Sequence, residues 1–567
     1  MHIVVELRAD EVRVSDYDDS GSRMSQATVT RAAFPELVRR REAEHPRWVW
    51  SDTSHWYPQL LDDGVIVERC HDLTLSRAIL RNSELTADTP LARAEPDGWD
   101  ERRFDDAPVE RPDRGTTLFD LVAEPTHDDD PDAAVEFERQ LQAVAASAEP
   151  ARLRLLLAAE SVGALIASEM RHAGLPWHVE VHDRVLTELL GPRVPPGRRP
   201  ATMTRLLGEI SEKLGVPDVN PDSPAELVKA LRRGGIEVSS TRSWELKEIS
   251  HPAIPPLLEY KKLSRLLTAN GWSWMDTWVR DGRFHPEYVP GGVVTGRWAA
   301  RGGGALQLPK QVRSAVVADA GWKLVVADAA QLEPRILTGM SSDTAMAKAG
   351  FGQDLYDGIV ASGAVDDRAH AKIAMLGAMY GATTGESGRL LPGLTKAFPQ
   401  ALALVEAAAR RGERGEIVTT RLGRSSPRPG PSWSEAQSAA YRPEAGEAEQ
   451  KRARSRARDW GRFTRNFVVQ GSAAEWALCW MAELRKRLAA MPASSAASAG
   501  AGAFARRAHL VFFLHDEVMV HAPAEQADAV ARAVTESART AGRLLFGDFP
   551  VDFPVTVAVV DDYGQAK

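Results

Sequence analysis

Three short segments, in a fixed order, hold the residues best suited to chemistry. Asp328-Ala329-Ala330-Gln331-Leu332-Glu333-Pro334-Arg335 ends an apolar, β-prone run. Arg368 and Lys372 stand four residues apart on a helical segment that runs on to Tyr380-Gly381. His515-Asp516-Glu517 ends a second apolar run. If the two strands are neighbours, Asp328 and Asp516 converge, and such a pair can hold two hard cations, ~3.5–4 Å apart, between an attacking hydroxyl and a leaving pyrophosphate. Arg368, Lys372, Leu376 and Tyr380 step by four along one helix face, cations first and ring last. That polarity suits a nucleoside triphosphate, phosphates on the cations and base toward the apolar end. Gly381 leaves room for a base or template to approach the backbone. Taken singly, each Asp reads more readily as a strand-end turn residue, and the Arg/Lys pair as surface charge beside a core Tyr. Together, the three segments are the equipment of nucleotidyl transfer.

The elements that must position these residues are legible around them. Lys323–Ala327 predicts a buried strand ending at Asp328, and His509–Leu514 with Val518–His521 predicts a hairpin with acids at its turn. Residues 343–410 read as helical, Ser425–Gly446 as a Pro/Ser/Gly-rich loop, Arg462–Leu484 as a long helix and Met491–Ala505 as a flexible low-complexity insertion. Gly291–Arg297 carries a strand signal, followed by Gly302-Gly303-Gly304. Leu153–Met170 predicts an amphipathic helix ended near Gly174 and Pro176, with short helices following to about Leu267, one begun at Asn220-Pro221-Asp222-Ser223. Residues 1–90 read as a small α/β unit, with strands at 46–50 and 65–69 and helices at 55–61 and 73–80. Residues 85–135 read as an acidic linker.

A chain of 567 residues with 44% hydrophobic content predicts several globular domains. Fifteen Trp supply core and interface packing. Two Cys, Cys70 and Cys479, exclude a disulfide framework or a zinc ligand set and fit a reducing cytosol. The N-terminus lacks the charged start and apolar stretch of a signal peptide, so a cytoplasmic location is expected. The most apolar run, near Leu155–Met170, is broken by Glu160 and Glu169, so no membrane association is expected. The net charge of −8 argues against nucleic acid, but its distribution does not. Acid gathers between Asp97 and Asp132. Base gathers at Lys451, Arg452, Arg454, Arg456, Arg458, Arg462 and Arg465, which suits either phosphate binding or a solvated helix face.

On these motifs the chain resembles the family A DNA polymerases, of the bacterial DNA polymerase I type. It is most similar to the short actinobacterial form described as a bifunctional 3′–5′ exonuclease/DNA polymerase. Asp328–Arg335, Arg368–Gly381 and His515–Glu517 match the family's motifs A, B and C. Thr295-Gly296-Arg297 with Leu306-Gln307, and Arg462, Asn466 and Gln470-Gly471, match further elements. The resemblance covers residues 150–567. It implies an α/β multidomain fold, in which a degenerate ribonuclease H-like exonuclease domain and acidic linker (1–135) precede a right-hand polymerase domain (150–567). Within the latter the thumb spans about 150–282, the palm about 283–342 and 462–567, and the fingers about 343–461.

Carried over residue by residue, the resemblance makes Asp328 and Asp516 ligands of two Mg²⁺, with Mn²⁺ a possible substitute, and Glu517 their support. Arg368 and Lys372 would hold the triphosphate, with Lys372 protonating pyrophosphate. Gln331, Leu376 and Tyr380 would lie at the incoming nucleotide, and Glu333 would exclude a ribose 2′-hydroxyl. Arg297, Gln307, Arg462, Asn466 and Gln470 would touch DNA, and His515 the primer terminus. The expected partners are primer–template DNA and dNTPs, bound by a monomeric, cytoplasmic, nucleoid-associated protein in repair or gap filling. There are departures. Ala329, Ala330 and Pro334 replace the usual motif A residues, Leu376 stands where an aromatic is usual, and Tyr356 where a phosphate-contacting His is usual. The N-terminal unit lacks Asp-x-Glu on its first strand, a second-motif Asp near Trp56 and a Tyr-x-x-x-Asp before Leu153. An inactive exonuclease is therefore expected, with Asp52 and Asp72 as caps or turn residues, and no separate 5′-nuclease domain. Two alternatives are residual exonuclease activity and a decayed DNA-binding scaffold.

Overall fold

The computed structural model describes residues 1–101, 132–195, 197–301, 304, 306, 308–382, 385–443, 445–500 and 502–566. Alternating apolar residues build the first sheet. β1 (His2–Arg8), β2 (Glu11–Tyr17) and β3 (Arg23–Thr30) form an antiparallel meander. β4 (Arg47–Trp50), α1 (Thr53–Asp62), β5 (Cys70–Asp72) and α2 (Leu73–Asn82) follow, with β4 and β5 added in parallel, so the order is β3-β2-β1-β4-β5. The strand expected at 65–69 is a packed loop: Val65 and Val67 are buried, but the ladder with β4 begins only at Cys70. β3 escaped the sequence pattern because it is a polar edge strand exposed along nearly its whole length, whereas β1 and β2 carry buried apolar residues that the sequence reading passed over.

The supposed linker has helical flanks. Pro90–Arg93 and Gly98–Glu101 are helical, and α3 (Ala133–Ala145) packs Ala133 and Phe137 with Val4 and Val49 of the sheet and Leu73 of α2. The remainder of the expected linker, 102–131, lies outside the described residues. α4 (Pro150–Ala173) is buried on most sides rather than amphipathic. Leu165 and Ala173 belong to the core of the first sheet, while Leu156, Ile166 and Met170 belong to the main core, so α4 is a wall shared by both. It stops at Gly174, whose φ of 68° suits glycine.

The main core surrounds a second sheet. In chain order the elements that matter are α5 (Ile254–Asn270), β6 (Trp322–Ala329), α6 (Leu332–Ser341), α7 (Leu355–Ala361), α8 (Arg368–Tyr380), α9 (Pro431–Ala440), α10 (Glu447–Ala489), β7 (His509–Leu514), β8 (Glu517–Pro523), α11 (Ala527–Phe546) and β9 (Val555–Val560). The sheet is antiparallel, in the order β7-β8-β6-β9. β6 is central and nearly continuous in apolar residues.

Four expectations need correction. Gly291–Arg297 is a loop rather than a strand, with Gly291 and Gly296 at φ 62° and 83°. The loop expected at 425–446 contains α9, begun with Pro431 in its first turn. The long helix is α10, 43 residues long, because the Ala-, Arg- and Lys-rich stretch before Arg462 is itself strongly helix-forming. The insertion at 491–505 is tied down: Ser494 N–H donates to the Arg506 carbonyl at 2.7 Å, Ala499 N–H to Asp319 at 3.0 Å, and Phe504 is buried. No helix among the described residues is long and apolar enough to cross a membrane.

α10 also ties the two cores together. Arg485 donates to both oxygens of Glu169 on α4, at 2.6 and 2.9 Å, and to the Glu68 carbonyl at 2.7 Å. Tyr57 of α1 donates to the same Glu169 at 2.7 Å.

Burial sets the acid limit of the fold. It depresses His71, His182 and His509 to about 4 and His521 well below its ordinary value, while it pushes Asp72 and Glu475 up to about 7. Between pH 6.5 and 4 the unfolded chain binds protons at these four histidines that the folded chain refuses. Asp72 and Glu475 oppose this, together with Glu42 and Glu136, which burial also raises, because the folded chain protonates them first. His2 and His515 are lowered as well, so six histidines stand against four carboxyls, and stability falls as pH drops through this window. Thermal unfolding followed from pH 7 to pH 4.5 is expected to show a steadily falling midpoint; a midpoint that rises would contradict this balance.

Candidate active site

The pairing of β6 with β8 places Asp328 directly opposite Glu517, and the Ala329 N–H donates to the Asp516 carbonyl at 3.0 Å. The three acidic residues of the sequence reading therefore meet at one end of the central strand pair. Asp328 and Asp516 are half-buried, and Glu517 is 2% exposed. Glu517 accepts a short hydrogen bond from the Tyr563 hydroxyl. Burial, then the Glu517 charge, pushes the Tyr563 pKa far up, so the phenol stays a donor. The Arg313 guanidinium covers its ring at 4.4 Å from the centroid.

The turns that carry these acids have uncommon backbone. His515 begins the two-residue turn between β7 and β8 at φ 59°, and Gln331 begins α6 at φ 53°. Left-handed backbone at non-glycine residues is costly and clusters at functional sites. Partial burial of its ring, then Arg297, holds the His515 imidazole below its ordinary pKa.

α8 presents Arg368, Lys372, Leu376 and Tyr380 on one exposed face, as the spacing predicted. The Asp367 side chain caps its N-terminus, accepting from His370 N–H at 2.8 Å. Two bridges join this helix to motif A. In the first, Asp354 accepts from Arg368 at 2.8 Å and from the Gln331 side chain at 2.5 Å. Burial raises the Asp354 carboxyl, but its bonds to Arg368, the Asp357 N–H and Gln331 outweigh this and hold it below the usual carboxylate range. The Arg368 guanidinium also lies 5.4 Å from the Tyr356 ring centroid. In the second bridge, Glu333 accepts from Tyr380 at 2.8 Å and from Arg297, while Gln470 donates to the Tyr380 hydroxyl at 3.5 Å. Lys372 makes no ion pair among the described residues.

On α10, Arg462, Asn466 and Gln470 follow one another at helical spacing of four, with Arg462 exposed and the other two half-buried. Arg462 pairs with Asp459, and its stem lies against Gly381. Gln307 lies outside the described residues.

Arg297, Gln331, Glu333, Leu376, Gln470, His515 and Asp516 line one cleft of about 1210 Å³. Its far wall is α5, which contributes Lys261, Lys262 and Arg265. The sequence reading passed over these cations, although their i, i+1, i+4 spacing was visible. It also passed over Asp354, although its cap of α7 through the Tyr356 and Asp357 N–H groups is a local feature, and Tyr563, whose partner Glu517 lies 46 residues away and leaves no local signal.

A model of DNA polymerase family A matches residues 199–565, well over half of the chain. The chain belongs to DNA polymerase family A. Among curated family A relatives, the thermostable DNA polymerase I of Thermus aquaticus is 26% identical over 474 residues, covering 76% of this chain and 48% of that protein. The DNA polymerase I of Chloroflexus aurantiacus is 25% identical over 346 residues, covering 56% of this chain and 33% of that protein. This family A chain thus spans about half the length, or less, of these relatives. Among solved structures, the POL domain of Pol1 from M. smegmatis, in complex with DNA primer-template and dNTP, matches with a TM-score of 0.64 at 16% identity, covering 100% of this chain and 96% of that one.

One glycine couples the end of α8 to α10. Gly381 caps α8 at φ 75°, and a Cβ there would fall 2.8 Å from the Arg462 Cγ. Gly381→Ala is expected to lower stability by about 1–2 kcal/mol from the left-handed backbone alone, read by chemical denaturation. No change would mean that the cap relaxes freely.

Proposed function

We propose that this chain is a template-directed DNA polymerase, which adds deoxynucleotides to a primer 3′ end and releases pyrophosphate. One observation carries the proposal: the β6–β8 register gathers Asp328, Asp516 and Glu517 at the cleft that Arg297, Glu333, Gln470 and His515 line. The relatives named DNA polymerase I, and the fold shared with a domain that holds DNA primer-template and dNTP, support it.

The donors at the strand ends are carboxylate oxygens, which suit Mg²⁺ or Mn²⁺ over softer metals, so the residues fit the two ions the family implies. Asp328 and Asp516 would hold them, with Glu517 locked behind by Tyr563. Such ions would supply Lewis-acid activation of the 3′-hydroxyl and neutralise charge on the departing pyrophosphate. Arg368 leaves Asp354 to clasp the triphosphate, and exposed Lys372 gives the leaving group its proton. Leu376 and Tyr380 meet the nascent base pair. Glu333, fixed between Arg297 and Tyr380, blocks a 2′-hydroxyl, and Gln331 orders the turn beside it. Arg297, Gln307, Arg462, Asn466 and Gln470 contact DNA, and His515 the primer terminus.

In this reading the thumb spans about 150–282, the palm about 283–342 and 462–567, and the fingers about 343–461. The β3-β2-β1-β4-β5 order supports a ribonuclease H-like N-terminal domain. Its acids are engaged elsewhere, which supports an inactive exonuclease. Asp52 accepts from Ser54 N–H at 2.6 Å and Asp72 from Leu75 N–H at 2.9 Å as helix caps. Buried Glu6 of β1, which the sequence reading passed over, is held by Arg8, Arg13 and the Ala133 N–H. A monomer serving repair or gap filling near the nucleoid completes the proposal.

Primer extension with Mg²⁺ tests it. Wild-type protein is expected to extend a paired primer and to leave a mismatched end uncut. Asp328→Asn and Asp516→Asn are each expected to lose on the order of 10³-fold or more, since charge stabilisation of several kcal/mol is removed. Extension that survives both substitutions would overturn the site. Glu333→Ala is expected to raise ribonucleotide use, relative to deoxynucleotide, by about tenfold or more in single-turnover incorporation; an unchanged ratio would remove Glu333 from sugar selection.

A further inference from the structure

The basic stretch before Arg462 remains without a role, and the structure gives it a shape. Lys451, Arg454, Arg458 and Arg462 lie three, four and four residues apart on α10, so they share one face, and all four are exposed. Lys451, Arg454 and Arg458 make no ion pair among the described residues. The acidic groups nearby leave the row open. Glu447 precedes it by one turn, Glu449 caps the helix start through the Gly446 N–H at 3.0 Å, and Asp459 pairs with Arg462. The opposite face is the anchored one: Ala453, Gly461 and Thr464 are buried. Gln437 of α9 donates to the Ala453 carbonyl at 2.9 Å. Arg452 and Arg456 lie off this face, Arg456 donating to the Ser432 carbonyl, and the row covers about 16 Å of helix.

The row is also continuous with the candidate active site. The same stripe runs on through Asn466 and Gln470, and Gln470 donates to Tyr380. Beyond Gln470, Ala473, Ala474, Ala477 and Met481 of α10 line the cleft that faces Lys261 and Arg265. One half of α10 therefore walls the cleft, and the other half leads away from it past Tyr380. Tyr441, at the end of α9 and six residues before α10 begins, is 87% exposed. A line of cations with a bare aromatic ring a short way before it in the chain suits single-stranded nucleic acid, backbone on the cations and a base on the ring.

We propose that Lys451, Arg454 and Arg458, together with Tyr441, form a rail for the single-stranded template that has not yet been copied. The inference rests on the polymerase reading. If the cleft holds the paired product, the strand that continues past Tyr380 is the unpaired template, and the row lies along its path.

Equilibrium binding of the full chain to fluorescent primer–template DNA, with short or long 5′ template overhangs and over a range of salt, tests the rail. Wild-type protein is expected to bind the long overhang several-fold more tightly than the short one. The triple variant Lys451→Gln/Arg454→Gln/Arg458→Gln, checked for an unchanged unfolding midpoint, is expected to lose that gain. Its slope of log affinity against log salt should also fall by about 2, at ~0.7 per single-strand phosphate. Tyr441→Ala is expected to lose part of the gain without changing the slope. An equal gain in the triple variant would overturn the rail. So would wild-type affinity indifferent to overhang length, or a gain seen only when the overhang is made double-stranded. Failure of wild-type protein to bind any primer–template would instead remove the polymerase reading, and the rail with it.

Discussion

The antiparallel pairing of β6 with β8 in a single register is the constraint on which the rest depends. Asp328 meets Glu517 only because Val325 meets Val520 and Ala327 meets Val518 along the same ladder. A slip of one residue would turn Asp328 to the other face of the sheet and bury it among apolar side chains. The strands resist that slip through burial on both sides of the pair, with β9 holding the opposite edge of β6 in register from Leu324 to Ala329. The register therefore brings the three acidic residues to one end of the strand pair. The hydrophobic pattern of two strands positions them, at the cost of left-handed backbone at His515 and Gln331.

A second layer of order ties the cationic helix to that sheet. Gln331 and Glu333, both within the turn and first residues of α6, reach α8 through Asp354–Arg368 and through Tyr380. The Asp354 bridge is built on an exposed ion pair, which is weak and competes poorly with a polyanion. It restrains Arg368 without burying it, which suits the exchange of carboxylate for phosphate proposed above. The Glu333 bridge is different in kind. Its carboxylate accepts from two sides, so its position is set by Arg297 and Tyr380 rather than by its own rotamer preference.

Much of this was legible in the sequence, and the boundary is physical. Strand ends, the i, i+4 stripe on α8 and the caps at Asp52, Asp72 and Ser223 are local features, so residue spacing reveals them. The polar edge strand β3 and the helical start of α10 were missed, because neither carries an apolar period. Val65–Arg69 misled in the opposite direction: its residues pack like a strand without pairing as one. The partners that complete the site come from far along the chain. Tyr563 reaches Glu517 across 46 residues, and Tyr380 reaches Glu333 across 47. No periodicity encodes such meetings.

The central claim is that Asp328 and Asp516 form one divalent-cation site at the end of the β6–β8 pair. Electron paramagnetic resonance of Mn²⁺ bound to the full chain, with primer–template DNA and a nucleotide present, tests it without recourse to turnover. Binding that weakens when either Asp328 or Asp516 is changed to Asn, and weakens no further when both are changed, is the predicted result. Mn²⁺ bound equally well by the wild-type and doubly substituted proteins would contradict the account.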